Sequence, residues 1–411
     1  MTAPVERRPS LLAPLADLEV RRLAAARFAA LLGSSLLPTA LAFGILALPH
    51  TSASSLGTVI AASVAGQVLA LLPGGVVADR YPRRVIMVVA ETVAGLSSLA
   101  MGLVLMSGNA SILLLGVFAS LGGVASGFFY PAFSGFIPEV AAPGGLQSVN
   151  SLLRLSVNVA RILGTALSGL LVALAGPGIA ITASSMFGLL AALLVSRVRP
   201  RFDPVQRTGS TPLSDFRGGW AEFIARRWVV AVVVVGAISN FGVVAALGVL
   251  GPLRASQALS GATSWALIAT GMAIGTVLGA VAAVRIRPSR PFFVAMPALA
   301  VFALPIVALA VSTSIAVIVC AAFVAGFFLD VFSVMWDTAL QEHVSNEALS
   351  RVSSFDWLAS FGLSPIALAL VGPMVDSFGL SPVLWIAAAL ALTPPLALLE
   401  PQVRRLRALG T

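Results

Sequence analysis

Of the 411 residues, 58% are hydrophobic and only 10% are charged, with a mean hydropathy of +1.01 and a formal net charge of +9. So few charges cannot cover so much apolar surface in water, which excludes a soluble globular enzyme or binding domain. The positive residues are all arginine and cluster between apolar runs, so the net charge reads as loop topology and no nucleic-acid partner is expected.

A helix needs about 20 apolar residues to cross a bilayer. Twelve runs qualify, at 24–48, 56–79, 85–107, 111–137, 150–175, 178–196, 228–251, 258–284, 292–312, 314–337, 352–375 and 380–399. Their unbroken length excludes a barrel of short alternating strands. The expected fold class is an all-α polytopic membrane protein with twelve transmembrane helices. Residues 1–23 form a cytoplasmic N-terminal segment that ends in charges without a small-residue cleavage site, so no removable signal peptide is expected.

Span 2 ends in the most informative stretch, Gly75–Arg84, which reads GVVADRYPRR. It sets one acid and three arginines between two apolar spans. Gly75 is expected to let another helix approach closely. Asp79 is expected to accept from basic neighbours or to face a helix N-terminus. Arg80, Arg83 and Arg84 complete the knot, whose plainer reading is a cytoplasmic anchor of topology. Glu91 lies inside span 3 on the face of Arg84 and reads as a snorkelling or paired carboxylate, with a coupling role as the alternative.

Span 5 carries Arg154, Asn158, Arg161, Thr165 and Ser168 at spacings of 4, 3, 4 and 3, which places all five on one helical face. Arg154 sits near the end and can snorkel. Arg161 lies too deep for that and needs a partner or a wet cavity, since a charge in hydrocarbon costs at least about 2.5–3.5 kcal/mol. The polar stretch 197–227, with Pro200, Pro204, Pro212, Gly218 and Gly219, divides a six-helix half at 24–196 from another at 228–399, and 400–411 form a cytoplasmic tail. Span 10 supplies a second stripe, Asp330, Ser333, Asp337 and Gln341, at spacings of 3, 4 and 4. Asp330 is expected either to take up a coupling proton or to pair with Arg161 across the halves, and a permanently satisfied ion pair is the structural alternative. Asp356 and Asp376 lie towards the two ends of span 11 and read as interfacial. Cys320, inside span 10, is the only cysteine, which excludes disulfides and cysteine metal sites. No metal or cofactor is expected.

Nearly all arginines fall on one side of this topology; Arg254 lies on the other and Arg161 within span 5. The positive-inside rule then puts both termini in the cytoplasm. Shifting the sequence by 203 residues aligns Glu139 with Glu342, Val149 with Val352, Gly169 with Gly372 and Gly176 with Gly379. Two parallel six-span halves are one way in which secondary transporters are built.

The stretch Gly75-x-x-x-Asp79-Arg80-x-x-Arg83-Arg84 closely resembles the loop 2–3 signature of the major facilitator superfamily, with Val77 for the usual leucine and Pro82 for the second glycine. The resemblance implies a conformational latch, in which the aspartate meets the start of helix 11, here near Arg351–Ser354. It also implies a charge relay in which Glu139 and Glu342 pair with arginine clusters. The stretches LQSVNSLLRLSVNVARILGTALSGLLVALAG and QEHVSNEALSRVSSFDW look like the twelve-span bacterial exporters of the macrolide-efflux and enterobactin-exporter type. In such exporters helix 5 carries a glycine-rich element for packing, matched here by Gly164 and Gly169 without its proline. Span 1 has none of the acid that these exporters often carry there.

The expected function is therefore proton-coupled efflux of a hydrophobic or amphipathic small molecule by alternating access, in a monomer spanning a bacterial plasma membrane. Arg161, Asn158, Asp330, Asp337 and Glu91 are the candidate coupling or substrate residues. Uptake or export of a specific metabolite or siderophore is the alternative, as is a receptor that transports nothing. A membrane enzyme lacks clustered acids or histidines, because His50 and His343 lie on opposite sides. An ATP-driven pump lacks a phosphate-binding glycine loop.

Overall fold

The computed structural model describes residues 13–142, 145–201, 220–283, 285–286 and 288–407. Among them there is no strand, and twelve helices are long and apolar enough to cross a membrane. They are α1 (Leu18–Leu46), α2 (Ala53–Arg80), α3 (Arg83–Met106), α4 (Ile112–Val140), α5 (Leu146–Ala175) and α6 (Pro177–Ser196). There follow α7 (Arg227–Ala258), α8 (Gly261–Ala283), α9 (Phe292–Val311), α10 (Ile315–His343), α11 (Asn346–Gly362 and Ser364–Phe378) and α12 (Leu380–Leu399). Several helices outrun their apolar runs. α10 continues to His343 and α5 begins at Leu146, because the backbone ladder goes on forming once side chains turn polar.

Local chemistry sets the ends. Asp17 caps α1 by accepting from the backbone of Glu19 and Val20, and Ser52 forms a reciprocal capping box with Ser55 at the start of α2. Gly176 and Gly379, a pair related by the internal repeat, both turn the chain at positive φ (86° and 84°) between α5 and α6 and between α11 and α12. Side chains other than glycine rarely adopt that conformation. Proline breaks the regular ladder elsewhere. A π-helical turn at Ala246–Leu250 precedes Pro252 in α7. α9 opens at Val301–Phe302 ahead of Pro305, and α11 breaks at Leu363 ahead of Pro365.

Helices α1 to α6 pack mainly on one another, as do α7 to α12. The two groups meet along α2 with α11 and α5 with α8. The packing is uneven along the bundle axis. At the end holding loop 2–3, the arginine-rich end, each group has its own apolar core. One is built around Leu23, Met87, Phe136 and Val149. The other is built around Val229, Phe292, Trp336 and Val352. At the far end a single core draws on both groups, including Ile45, Leu56, Val249, Leu250 and Leu368. Among the described residues the two groups thus share one core at the far end and keep separate cores at the arginine-rich end.

Candidate functional site

A cavity of about 310 Å³ lies between the two helix groups, just inside the end with the shared core. Its walls differ in chemistry. Ser34, Ser35 and Thr39 of α1 and Arg161 and Thr165 of α5 supply every lining hydroxyl and the only lining charge. The facing wall is apolar, with Val243 and Leu247 of α7, Trp265, Ile268 and Met272 of α8, and Phe302, Ile306 and Leu309 of α9. Phe302 reaches the lining where Pro305 interrupts α9, and Trp265 is buried against Gly251. The Thr165 hydroxyl donates to the Arg161 carbonyl at 2.8 Å and that of Ser34 to the Leu31 carbonyl at 3.2 Å, so each is already spent as a donor. The Arg161 guanidinium is the strongest donor the cavity presents.

The two polar stripes lie in different helix groups, one on α5 and the other on α10. Arg161 and Asp330 both sit near the middle of their helices. Asp330 lies in the electrostatic field of Arg161 and Arg154, and Asp337 in that of Arg154, yet no direct ion pair joins them. Asp330 is half-buried and Asp337 exposed. Asn158 is half-buried one turn from Arg161, and Ser333 turns its hydroxyl onto the Leu329 carbonyl. The helix-5 glycines face different neighbours. Gly164 lies against Leu32 and Ser35 of α1, where an added Cβ would come within 2.8 Å of the Leu32 carbonyl, and Gly169 lies against Ala262 and Ala266 of α8 across the group boundary.

In loop 2–3, Arg83 donates to Glu139 at 2.8 Å and to the Gly135 carbonyl at 2.9 Å, and stands 3.8 Å from Asp79. Arg84 donates to the Val198 carbonyl at 3.3 Å, whereas Arg80 and Asp79 are exposed. The close approach expected at Gly75 is absent, since nothing lies within 4 Å of where its Cβ would be. The neighbouring Gly74 makes it instead, with the Gly127 carbonyl 2.7 Å from its Cβ position. One residue turns a helix by about 100°, so the packed glycine is the one whose direction meets α4. On the α11 side, the side chains of Arg351 and Ser354 lie outside the described residues, as does Arg287 of loop 8–9. Glu342 is half-buried at the end of α10.

Glu91 shares the field of Arg27 on α1, while Arg84, the neighbour expected from helical facing, bonds elsewhere. Arg27 is one of three features that sequence reasoning missed. It is no terminal anchor: its guanidinium lies over Phe133 (4.5 Å), Phe129 (5.4 Å) and Tyr130 (5.8 Å), a cation–π nest on α4. Asp356 accepts from Trp336 Nε1 at 2.9 Å and ties α10 to α11. Asp376, read as interfacial, accepts from the hydroxyls of Ser52 (3.1 Å) and Ser54 at the head of α2 and so closes the far end across the two groups. Beside it Gly57 lies against Leu368, and Gly372 against Ala53 and Ser54. The repeat alignment of Gly169 with Gly372 was the available signal, because both glycines sit in cross-group seams.

The family profile described as Major Facilitator Superfamily matches residues 23–364. No curated protein matches the sequence. Among solved structures the chain is similar in fold to the nucleoside transporter NupG, at 13% identity and a TM-score of 0.73, over 93% of this chain and 98% of that one. It is also similar to a transporter of the POT family in complex with 5-aminolevulinic acid, at 12% identity and 0.70, over 93% and 96%. A D-xylose–proton symporter matches at 16% identity and 0.68, over 94% and 98%.

Proposed function

Because the chain belongs to the Major Facilitator Superfamily, and is thus a multi-pass secondary transporter rather than an enzyme, we propose that it carries a hydrophobic or amphipathic small molecule through the cavity at Arg161 by alternating access. The observation that carries this reading is the one-sided core: a chamber between two helix groups that share one core at the far end and keep separate cores at the other. We place the arginine-rich end in the cytoplasm, which makes this arrangement inward-open, and take the protein to act as a monomer in a bacterial plasma membrane. We take 24–196 and 228–399 as the two moving halves. Glu139 holding Arg83 keeps the loop 2–3 latch cocked, and Asp79 awaits the start of α11 in the opposite state.

Protons are the proposed coupling ion and Asp330 their carrier, since it is a mid-helix carboxylate facing arginines without being bonded to them. Direction follows from the sign of coupling. Competition between proton and substrate gives exchange and hence efflux of a drug, antibiotic or secondary metabolite, which the resemblance to exporters supports. Joint loading gives cotransport and uptake of a specific metabolite, which the lone guanidinium in the cavity supports. Everted vesicles with an imposed proton gradient, screened against a panel of lipophilic compounds and acidic metabolites, test both. Flux that an uncoupler abolishes and Asp330→Asn severs from the gradient is the expected result. Flux indifferent to the uncoupler overturns proton coupling, and flux indifferent to Asp330→Asn overturns that carrier.

A further inference from the structure

The cavity walls specify more than a greasy substrate. We propose that the cavity binds an amphipathic monoanion, whose acidic group lies on Arg161 and whose apolar body lies against Trp265, Met272 and Phe302, and that this anion loads together with a proton on Asp330. This rests on the cavity being the substrate site, as proposed above.

The polarity is one-sided, because all lining hydroxyls and the guanidinium come from α1 and α5 while α7 to α10 contribute an apolar surface. A ligand filling both walls needs one polar end and one apolar side. The polar end faces a group that only donates. Thr165 and Ser34 have already given their protons to backbone carbonyls, so the acceptors left in the cavity are weak, neutral oxygens. A cationic ligand would meet Arg161 with no lining carboxylate to offset it. A neutral ligand would leave the guanidinium without a charged partner. An anion satisfies it with charge-assisted bonds, in the bidentate geometry that a carboxylate offers.

Loading with a proton follows from the other stripe. Among the charged groups around Asp330, α5 brings Arg161 and Arg154, its own helix brings Asp337, and α11 brings Asp356 next to Asp337. α8 and α9 carry no charged residue within their spans. Asp330 and a bound anion therefore draw on the same arginine and repel each other. Protonating Asp330 removes the repulsion and leaves the field of Arg161 to the ligand, so each binding event favours the other. An anion and a proton bound jointly move in one direction, with no net charge added to the site.

Binding to the purified full chain in lipid nanodiscs, measured by calorimetry with no gradient present, tests this apart from transport. The probes are naphthoate, its neutral amide and the cationic naphthylmethylamine. Naphthoate should bind roughly tenfold or more tighter than the amide. Arg161→Gln should erase that preference, and Arg161→Lys should keep part of it. Naphthoate affinity should rise on acidification while the acid itself is still fully ionised, and Asp330→Asn should remove that rise. Equal or tighter binding of the amide or the amine, or an unchanged preference in Arg161→Gln, overturns the anion assignment. Affinity that falls on acidification overturns joint loading. Because wild-type protein alone supplies the probe series and the pH series, misfolding of a variant leaves both halves testable. Clear preference in nanodiscs without gradient-driven flux in vesicles would instead overturn the transport reading and spare the binding one.

Discussion

Arg83 and Glu139 show how much one charged pair matters in a chain with so few. Side-chain exposure is 16% for Arg83 and 7% for Glu139, and their bond fixes the loop between α2 and α3 against the end of α4. Removing one partner strands the other charge in a poorly hydrated place, a change that typically costs about 3–5 kcal/mol. Glu139→Gln should therefore lower the melting temperature in detergent, whereas Arg80→Gln, on an exposed side chain, should leave it nearly unchanged. A melt that treats the two variants alike would refute the ranking. Charges of this kind stand out in sequence against an apolar background, and so Asp79, Glu139, Arg161 and Asp330 could be singled out as candidates there. Their partners were less so. Arg27 reads as one more basic residue near the start until α4 is folded against it, since its three aromatic neighbours lie about a hundred positions away. Gly75 and Gly74 differ by one step in sequence and by a third of a turn in space, which no motif resolves.

At the scale of elements, α5 and α11 are the counterparts on which the closed end depends. Each carries a glycine at the matching repeat position, and each lays it against a helix of the other group: Gly169 on α8 and Gly372 on α2. Small residues let membrane helices pack backbone to backbone, where dispersion and polar contacts replace a hydrophobic drive that lipid does not supply. A larger side chain at Gly372 would meet the Ser54 amide, whose nitrogen lies 2.6 Å from the Cβ position, so Gly372→Leu should prop the seam apart. With Cys320→Ser removing the native thiol, Ser52→Cys should then react faster with an impermeant maleimide applied from the far side. An unchanged labelling rate would show that the seam closes regardless. Asp376→Ala should act in the same direction more mildly, because it removes two hydroxyl contacts and adds no bulk. Helix positions were readable from apolar run length alone. Which faces cross the boundary was not, since every face of such a helix is apolar enough to meet lipid.

On the proposed alternating-access cycle, the whole molecule works as two bodies joined at one end. A covalent tie across that end tests this directly: Ser54→Cys with Asp376→Cys, in the Cys320→Ser background, should stop transport when oxidised and restore it on reduction. Transport that continues through the tie would mean that the far end need not open. The twelve-helix architecture and the superfamily followed from sequence because hydrocarbon thickness imposes a length and loop 2–3 carries a signature. The state in which the molecule rests was not readable, because it depends on contacts between halves that differ only slightly in energy.

The far-end core, shared by both groups while each keeps a private one, also bears on how the polypeptide is made. Each fragment, once threaded into the bilayer, already owns a finished interior at its arginine-rich end, and the unfinished surface around Ile45 or Leu250 is no worse off in lipid than in protein. Neither piece has to wait for the other. If the chain is severed between Arg201 and Trp220 and the two genes are expressed together, the fragments should co-purify and recover flux, recognising each other by the shape of their glycine grooves.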